Sequence, residues 1–375
     1  MIPARSKPAR VVHFVTGGLG SGAAQVAITL VKAALGGPVT PLLVMRRKSS
    51  TDPQKLEELK AAGVPFEMVS NWPHWLATLQ LVRICRRFQP DVLVAHGYRE
   101  HIWGRIAGLL AGVPKLVHVE HNSREKYSWW RLLQARWLAR RTARIVGCSE
   151  GVRQRLLELG FEPDRTIAIS NGIRLQPFAE ADQRDFNARQ PDIVMCARFA
   201  SQKDHNTLIR AVGLLRDRGL TPSLLLAGGG KSWYRRSAQR LARRLNLGDQ
   251  VQFLGHYNEV PALLMQTRIC VLSTHYEGMP LSLVEGMAAG CAVIGSAVPG
   301  VRELIRDGID GRLVPESDPV ALANALEQIL RQPEMAAQMA ATARKVAVER
   351  HSLELMNSRY EELFLQLAAE TALVI

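Results

Sequence analysis

Short runs of apolar residues alternate with amphipathic stretches along almost the whole sequence of 375 residues. The short runs predict buried strands, whereas apolar positions three or four residues apart, as in Ala23–Leu35 and Leu76–Phe88, predict helices. The predicted strands are Val11–Val15, Pro41–Met45, Phe66–Val69, Asp91–Ala95, Lys115–Val119, Arg144–Gly147, Thr166–Ile169, Ile193–Cys196, Ser223–Ala227, Val251–Leu254, Ile269–Leu272 and Ala292–Ile294. Strands that alternate with helices favour parallel sheets covered by helices, one in each half of the chain.

A polar stretch without periodic apolar positions, residues 179–191, interrupts this alternation. We therefore predict an α/β protein of two Rossmann-like domains, residues 1–178 and 179–352, with a C-terminal helix at 353–375 that joins the first domain. Two open parallel sheets that face each other across a cleft bind ligands at the carboxyl ends of their strands. Functional residues are therefore expected directly after strands.

Composition is typical of a soluble enzyme, with 47% hydrophobic and 22% charged residues. No stretch is long and apolar enough to predict a transmembrane helix, and the apolar run Val11–Val15 is too short for a signal peptide. The five cysteines are an odd number without CxxC spacing. They favour reduced thiols over a disulfide framework or a zinc site, and the sequence thus predicts a cytoplasmic protein.

The excess of positive charge lies entirely in the first half of the chain. Residues 1–175 contain 26 Lys+Arg and 12 Asp+Glu, and the remaining residues contain 22 of each, which gives the net charge of +14. This asymmetry indicates an anionic partner, which could be a membrane surface, a phosphorylated acceptor or nucleic acid. Because the sequence has no RNP-like, helix-turn-helix or zinc-finger pattern and its second half is neutral, we do not expect nucleic acid.

Six of the seven tryptophans also lie in the basic half. The stretch 129–141 mixes tryptophan and arginine at helical spacing, which is typical of a helix that lies in an anionic lipid interface. Residues 81–87 form a second, weaker candidate. An ordinary surface helix with one buried apolar stripe is the alternative for both stretches.

Candidate chemistry follows the predicted strand Ile269–Leu272. Glu277 lies in the loop after this strand, and Glu285 lies inside the next helix. Pro280 suits the first turn of that helix, so the backbone N–H groups of residues 278–282 are expected to point at phosphate or sugar oxygens. The two carboxylates are too far apart to share a proton, but they could hold two parts of one long ligand.

This E-x7-E arrangement resembles the signature of the family 4 retaining glycosyltransferases, which have the GT-B fold. The resemblance is to enzymes of bacterial envelope and lipopolysaccharide synthesis, and it covers nearly the whole chain. Further motifs in the same order support it, namely Ser170-Asn171-Gly172-Ile173, Ala197-Arg198-Phe199, Lys203-Asp204, Thr207-Leu208, Leu226-Ala227-Gly228-Gly229-Gly230, Val251-Gln252-Phe253-Leu254-Gly255 and Glu285-Gly286-Met287-Ala288-Ala289-Gly290.

The resemblance implies a site for a nucleotide diphosphate sugar. Arg198 and Lys203 are expected to bind the two phosphates, where negative charge develops as the sugar leaves. Glu285 is expected to hold the ribose hydroxyls, and Glu277 the transferred sugar and its phosphate. No cofactor and no metal are expected. The residues assigned to the donor are Gly17, Gly18, Arg198, Lys203, Gly255, Glu277, Gly278, Met279, Pro280, Leu281 and Glu285.

The first half is expected to hold the acceptor. Its glycine-rich segment 16–22 resembles the family's first loop, although it is not a clean dinucleotide fingerprint and no Walker loop is present. The resemblance assigns His121, after the predicted strand Lys115–Val119, as a catalytic residue beside Arg198, Lys203 and Glu277. His96 is the alternative histidine.

The sequence therefore predicts a glycosyltransferase that acts on a glycan or lipid-linked glycan. The family's same-face attack implies retention at the anomeric carbon, and His121 is the candidate general base if transfer inverts instead. A nucleotide-sugar epimerase or hydrolase on the same fold is the alternative. A basic nucleic-acid-binding protein and a catalytically silent scaffold are less favoured.

Overall fold

The computed structural model of the chain describes residues 7–15, 18–19, 21–48, 51–97, 100–123, 127–190 and 192–372, except the side chains of Glu100 and Ala372. The chain divides into two compact units. The first consists of residues 1–171 and 356–375, and the second consists of residues 172–355.

The first unit contains a parallel sheet covered by helices. Its strands are β1 (Ala9–Val15), β2 (Val39–Arg46), β3 (Phe66–Val69), β4 (Val92–His96), β5 (Lys115–Glu120), β6 (Arg144–Gly147) and β7 (Thr166–Ala168). Its helices are α1 (Gly22–Ala34), α2 (Pro53–Ala61), α3 (His74–Phe88), α4 (Glu100–Ala111), α5 (Trp129–Ala139) and α6 (Glu150–Glu158). In the described part of the chain the strand order is β3-β2-β1-β4-β5-β6-β7.

The second unit repeats this architecture with a smaller sheet. Its strands are β8 (Ile193–Cys196), β9 (Leu224–Ala227), β10 (Val251–Gly255), β11 (Ile269–Leu272), β12 (Ala292–Ser296) and β13 (Arg312–Val314). Its helices are α7 (His205–Asp217), α8 (Ser232–Arg244), α9 (Val260–Gln266), α10 (Leu281–Ala288), α11 (Pro299–Leu304), α12 (Pro319–Arg331) and α13 (Pro333–Arg350). The strands described here follow the order β10-β9-β8-β11-β12-β13, all parallel.

The central strands are continuous apolar runs because helices cover both faces of each sheet. In β1, for example, Val11, Val12, Phe14 and Val15 are all buried. His13 is the polar exception in this strand, and it is buried as well. The helices begin at side-chain caps where the sequence supplies them, as at Ser21 before α1.

The last helix, α14 (Leu353–Ala372), belongs to the first unit from Met356 onward. Tyr360 and Leu367 on this helix are fully buried. The ring of Phe364 meets the ring of His13 edge to face, with centroids 5.5 Å apart. The core of the first unit is therefore built from both ends of the described chain.

The predicted fold class of two parallel-sheet Rossmann-like domains is confirmed. Each predicted strand is present within a few residues, and β13, which the sequence did not predict, is an additional edge strand of three residues. All five cysteines are free thiols, as expected. Within the described residues, no helix has the length and hydropathy needed to cross a bilayer.

The division between the units falls at 171/172, before the predicted boundary at 178/179. Ile173 donates its N–H to the carbonyl of His351 at 2.9 Å, and Leu353 donates to the carbonyl of Ile173 at 2.8 Å. Phe178 is buried in the hydrophobic core of the second unit. These contacts attach the predicted linker to the second unit, although its polar composition had suggested a boundary after it.

Candidate functional site

The second sheet changes direction between β8 and β11. The chain proceeds outward from β8 through β9 to β10, and then outward on the other side from β11 to β13. At such a point the loops after the two central strands diverge and leave a crevice for ligands. Arg198 and Lys203 lie in the loop after β8, and Glu277 lies in the loop after β11.

Backbone hydrogen bonds fasten these two loops to each other. Asp204 donates its N–H to the carbonyl of Ser273 at 3.0 Å, and His275 donates its N–H to the carbonyl of Gln202 at 2.9 Å. The Gln202 side chain also donates to the carbonyl of Tyr276 at 2.6 Å. The two loops therefore present their functional side chains at one place.

Lys203 and Glu277 form an ion pair at this place. The Glu277 oxygen that faces the ammonium, Oε1, also accepts the Thr274 hydroxyl at 2.8 Å. Only 13% of the Lys203 side chain and 8% of the Glu277 side chain are exposed. The site therefore contains a nearly buried cation and anion that balance each other and depend on each other.

Arg198 differs from Lys203 in being exposed. Among the described residues, no side chain pairs with its guanidinium group. A planar guanidinium without a competing carboxylate can bind a phosphate through two parallel hydrogen bonds. Arg198 is thus positioned to receive an anionic ligand.

The backbone of Arg198 packs against the glycine run after β9. A Cβ atom at Gly228 would lie 2.0 Å from the carbonyl oxygen of Ala197, and one at Gly230 would lie 2.4 Å from that of Phe199. Both glycines also have positive φ angles, 154° and 131°. This close approach requires glycine at both positions.

We expect Gly228→Ala to weaken nucleoside diphosphate binding by roughly tenfold or more, because the new methyl group must displace the backbone that carries Arg198. Gly229→Ala is the matched control, since a Cβ at Gly229 would have no atom within 4 Å. Isothermal titration of both variants, after unfolding curves establish that each is folded, measures the difference. Equal affinities in the two variants would contradict this role of Gly228.

The helix after Glu277 begins one residue later than the sequence indicated. Pro280 is the residue before the first turn of α10 and not part of that turn. The N–H groups of Leu281 and Leu283 are bonded to the carbonyls of Met279 and Pro280, at 3.0 and 2.9 Å. Two of the backbone N–H groups in this region are therefore already occupied, one of them in the expected set 278–282.

The loop of Glu277 and Gly278 is supported from behind by the start of α11. A Cβ at Gly300 would lie 2.5 Å from the carbonyl oxygen of Gly278 and 2.8 Å from that of Glu277. Only glycine allows α11 to come so close. The position of the Glu277 carboxylate therefore depends on a residue outside the predicted site.

Two further predicted residues, Glu285 and Gly255, lie close to the ends of strands β8 and β9. Glu285 is half-buried in α10, and burial raises the pKa of its carboxyl to about 7. Its charge influences the pKa of Cys196 at the end of β8, so it lies near that strand end. Gly255 accepts the N–H of Gly228 at 2.7 Å, which places it beside the glycine run.

The predicted residues of the first half belong to the first unit. Gly17 lies outside the described residues, whereas Gly18 accepts the Ser21 N–H at 2.8 Å in the loop before α1. His121 follows β5 and is half-buried. Burial lowers the pKa of its imidazole to about 4.

His121 is linked to two other histidines, one of which the sequence reading missed. Its Nε2 lies 3.3 Å from Nδ1 of His96, and Nε2 of His96 lies 3.1 Å from Nδ1 of His13. His13 interrupts an apolar strand, and this was the one signal in the sequence. The contact itself depends on the strand order, because β1, β4 and β5 are neighbours in the sheet and not in the chain.

A second polar cluster lies on α4 and β5. Arg105 is fully buried and donates to the Thr142 hydroxyl at 2.9 Å and, through Nε, to the carbonyl of His101 at 3.0 Å. The rings of His101 and His118 stack with centroids 4.1 Å apart. Burial lowers the pKa of Arg105 to about 9 and lowers the pKa values of both histidines. His118 is thus a core residue of the first unit.

Two family models match this sequence in adjoining segments. The model described as Glycosyltransferase Family 4 matches residues 20–177, and the model described as Glycosyl transferases group 1 matches residues 178–346. Together they cover residues 20–346.

Curated relatives extend the similarity. The UDP-Gal:alpha-D-GlcNAc-diphosphoundecaprenol alpha-1,3-galactosyltransferase of Escherichia coli is 26% identical over 271 residues, which are 67% of this chain and 69% of that protein. The lipopolysaccharide core biosynthesis glycosyltransferase LpsE of Rhizobium meliloti is 24% identical over 94% of this chain and 98% of its own.

Solved structures share the fold along nearly the full length. Anabaena HepE in complex with UDP and glucose has a TM-score of 0.80 at 20% identity, over 95% of this chain and 99% of that one. A glycosyltransferase from Rickettsia africae has a TM-score of 0.84 at 19% identity, over 96% and 98% of the two chains.

Proposed function

This chain belongs to the family 4 glycosyltransferases of the GT-B fold class, and on this premise we propose that it transfers a sugar from a nucleotide diphosphate sugar to a glycan or lipid-linked glycan. In this proposal the transfer proceeds with retention, and the acceptor belongs to the cell envelope, as in lipopolysaccharide synthesis. One observation carries the proposal. The Lys203–Glu277 ion pair lies at the reversal point of the second sheet, where the loop after β8 also carries Arg198. The relatives named for galactosyl transfer to a diphosphoundecaprenol acceptor and for lipopolysaccharide core synthesis support the acceptor class.

The charges at this point suit the departure of a nucleoside diphosphate. As the sugar–oxygen bond breaks, negative charge grows on the outer phosphate, and fixed cations stabilise it most in the transition state. Arg198 offers an exposed guanidinium, and Lys203 offers a nearly buried ammonium. We propose that these two cations take the role that a metal ion has in other transferases, so that no cofactor is required.

Glu277 has a separate role in this proposal. Its Oε1 is held by Lys203 and Thr274, which fixes the carboxylate beside the phosphate position. A fixed carboxylate accepts hydrogen bonds from sugar hydroxyls. Glu277 would thus align the transferred sugar while Lys203 binds its phosphate, and Glu285 would accept the ribose hydroxyls.

The test is isothermal titration with UDP, GDP, dTDP, CMP and ADP, repeated in EDTA. We expect one diphosphate to bind, with the same affinity in EDTA. Product analysis with the matching nucleotide sugar then separates the activities. Free sugar or an epimerised donor in the absence of any acceptor would favour the alternative hydrolase or epimerase. Binding of none of the five nucleotides would count against the donor site.

Nucleotide binding should release protons below neutral pH. Because the pKa of Glu285 in the free protein is raised to about 7, its carboxyl is largely protonated at pH 6. Hydrogen bonds from ribose hydroxyls favour the charged form and lower this pKa. The affinity is therefore expected to weaken as pH falls from 7 to 6, by up to about tenfold.

Titration at pH 6 in buffers of different ionisation enthalpy measures the proton release. Glu285→Gln is the control, because proton release that remains in this variant comes from the phosphates of the nucleotide. Identical release by both proteins would contradict the role of Glu285.

The first unit exposes large apolar side chains on three helices that pack in sequence, α3 against α4 and α4 against α5. The exposed side chains are Trp75, Leu79, Trp103, Leu109, Leu110, Trp129, Trp130, Leu133 and Trp137. His74 joins two of these helices, since its ring stacks on that of Trp103 with centroids 5.7 Å apart. The guanidinium of Arg141 lies 4.0 Å above the ring of Trp137.

This combination of tryptophans and arginines suits an anionic membrane surface. We propose that helices α3–α5 hold the protein at the inner face of the cytoplasmic membrane, where a lipid-linked acceptor is present. Two arginines of the segment 81–87 are already committed at the surface, because Arg87 pairs with Glu67 and Arg86 donates to the carbonyl of Leu110.

We expect the protein to sediment with anionic liposomes and not with neutral ones. Replacing both Trp129 and Trp130 by serine should lower the partition coefficient by roughly 100-fold, since the burial of each large apolar side chain contributes on the order of 1.5 kcal/mol. Trp233→Ser is the matched control, because Trp233 is 57% exposed but lies in the second unit. Equal binding to both kinds of liposome would refute the membrane proposal.

A further inference from the structure

A buried histidine contacts the loop that carries both cations of the candidate donor site. His205 is the first residue of α7 and is 4% exposed. Its ring lies nearly parallel to the ring of Phe199, with centroids 4.1 Å apart and an interplanar angle of 15°. Nδ1 of the same ring lies 3.2 Å from the carbonyl oxygen of Lys203. One side chain therefore contacts this loop twice, at the residue after Arg198 and at Lys203 itself.

The pairing of the two loops explains why the Lys203 carbonyl needs a donor from elsewhere. Lys203 and Thr274 lie opposite each other in an antiparallel bridge, and the hydrogen bonds of this bridge run between their neighbours. In such a pair the N–H and C=O groups of the two opposed residues point away from each other. The N–H of Lys203 donates to the carbonyl of Ala200 at 3.1 Å, and its carbonyl meets Nδ1 of His205. His205 thus completes the hydrogen bonding of the Lys203 backbone.

The contact fixes the position of the proton on His205. Burial lowers the pKa of its imidazole to about 4 and outweighs the backbone groups of Lys203 and Ala197, which raise it. The ring is therefore neutral at physiological pH and carries one proton. Because a carbonyl oxygen only accepts hydrogen bonds, that proton is on Nδ1. Nε2 is buried without a hydrogen-bond partner among the described residues, so a phenyl ring at this position would remove one hydrogen bond, the one to Lys203.

The peptide group between Lys203 and Asp204 is held at both of its polar ends. Its N–H donates to the carbonyl of Ser273 at 3.0 Å, and its C=O accepts from His205. A peptide held in this way fixes the direction of the Lys203 side chain, whose ammonium forms the nearly buried ion pair with Glu277. Without His205 one of the two restraints is absent.

We propose that His205, with its proton on Nδ1, is a positioning residue that keeps the Lys203 ammonium at Glu277 and therefore at the phosphate position of the donor. This inference rests on the proposed function for the identity of the ligand, a nucleoside diphosphate. His205 acts through Lys203 and does not touch the ligand. The geometry of a fixed charge matters because a small displacement weakens its contact with the phosphate strongly. The stack on Phe199 is a separate contact, which phenylalanine at position 205 would keep.

The first test requires no ligand. Long-range ¹H–¹⁵N spectra of the full-length protein with labelled histidine distinguish protonated from unprotonated ring nitrogens. We expect His205 to be a single tautomer with Nδ1 protonated and Nε2 unprotonated, unchanged between pH 6 and 8. A proton on Nε2, or a mixture of tautomers, would overturn the proposal.

Two substitutions of His205 separate the hydrogen bond from the ring stack. His205→Phe keeps the stack and removes the donor, whereas His205→Asn keeps an N–H at the δ position and removes the ring. An ammonium group that is buried in an ion pair exchanges its protons slowly with water, so the ¹⁵N signal of Lys203 reports whether Glu277 still holds it. We expect this signal to be lost in His205→Phe and retained in His205→Asn.

Thr207→Val is the matched control for these variants. It removes the hydroxyl that donates to the Asp204 carboxylate at 2.6 Å, at the same end of α7, and leaves the His205 contact in place. The Lys203 signal should therefore persist in Thr207→Val. Persistence of the signal in His205→Phe as well would overturn the positioning role. If His205→Phe does not fold, the tautomer of the wild-type ring and the signal in His205→Asn decide the question.

A double-mutant cycle connects His205 to the donor. His205→Phe should weaken diphosphate binding by roughly tenfold, which corresponds to about 1.4 kcal/mol. The same change should have no further effect in a Lys203→Met background, because the group that His205 positions is absent, and its full effect should remain in an Arg198→Ala background. A tenfold loss in the Lys203→Met background would overturn the action through Lys203. A wild-type protein that binds none of the five nucleotides would refute the proposed function, while the spectra of His205 and Lys203 would still decide the positioning role.

Discussion

Replacement of Arg198 by alanine is expected to lower kcat by about 10²- to 10³-fold, the usual effect of removing one group that stabilises charge in a transition state. Diphosphate affinity should fall by about 1.5–3 kcal/mol, because one charge-assisted contact is lost. The thermal stability should not change, since Arg198 is exposed and no described side chain pairs with it. Activity is therefore expected to fall without a loss of stability, because Arg198 is exposed and its backbone lies beside the glycine run after β9.

Arg210→Ala is the matched control for this variant. Arg210 is an exposed arginine of the same unit on α7. Titration and steady-state kinetics on both variants, with thermal unfolding in parallel, provide the comparison. If Arg198→Ala binds the diphosphate with an affinity within twofold of the wild type, the guanidinium of Arg198 is not part of the donor site.

Glu277→Gln is expected to abolish transfer and also to destabilise the second unit. The change keeps the shape of the side chain, but it leaves the nearly buried ammonium of Lys203 without its counter-charge. Breaking such a pair costs roughly 3–5 kcal/mol, which lowers Tm by several degrees in a protein of this size. Calorimetry and a transfer assay record the two effects.

A double variant separates the structural role from the catalytic one. Lys203→Met in the Glu277→Gln background removes the uncompensated charge, so Tm should recover in part while activity stays absent. Glu349→Gln is the control, because Glu349 forms an exposed ion pair with Lys345, and such pairs contribute little. Recovery of transfer in the double variant would show that neither side chain contributes to catalysis.

Much of the fold follows from local pattern. The strands of both sheets are apolar runs covered on both faces, and their periodicity is visible in the sequence. β13 was missed because its three residues, Arg312–Val314, are too few to show a pattern. The division at 171/172 differs from the predicted boundary at 178/179 because Ile173 is attached to the second unit by backbone hydrogen bonds, which composition does not reveal.

The sequence names individual candidate residues of the site but not the contacts among them. Arg198, Lys203 and Glu277 were identified from motifs, yet the ion pair between the last two depends on the pairing of two loops about 70 residues apart. Gly300 and His13 were missed for the same reason, since each acts on a neighbour that is distant in the chain. The order of the strands in a sheet decides which strand ends lie side by side, and the periodicity of a single sequence does not reveal that order.

The position of α14 has a consequence for how the protein is made. Phe364 on this helix covers His13 of the first strand, and Lys115 at the start of β5 pairs with Glu370. The ribosome delivers α14 only after the whole second unit, although most of the unit that it completes was synthesised first. The first unit therefore cannot complete its hydrophobic core until α14 has been synthesised, and part of its apolar surface stays exposed until then. The second unit can fold earlier. In cells short of chaperones, we accordingly expect incomplete chains to aggregate through their N-terminal half.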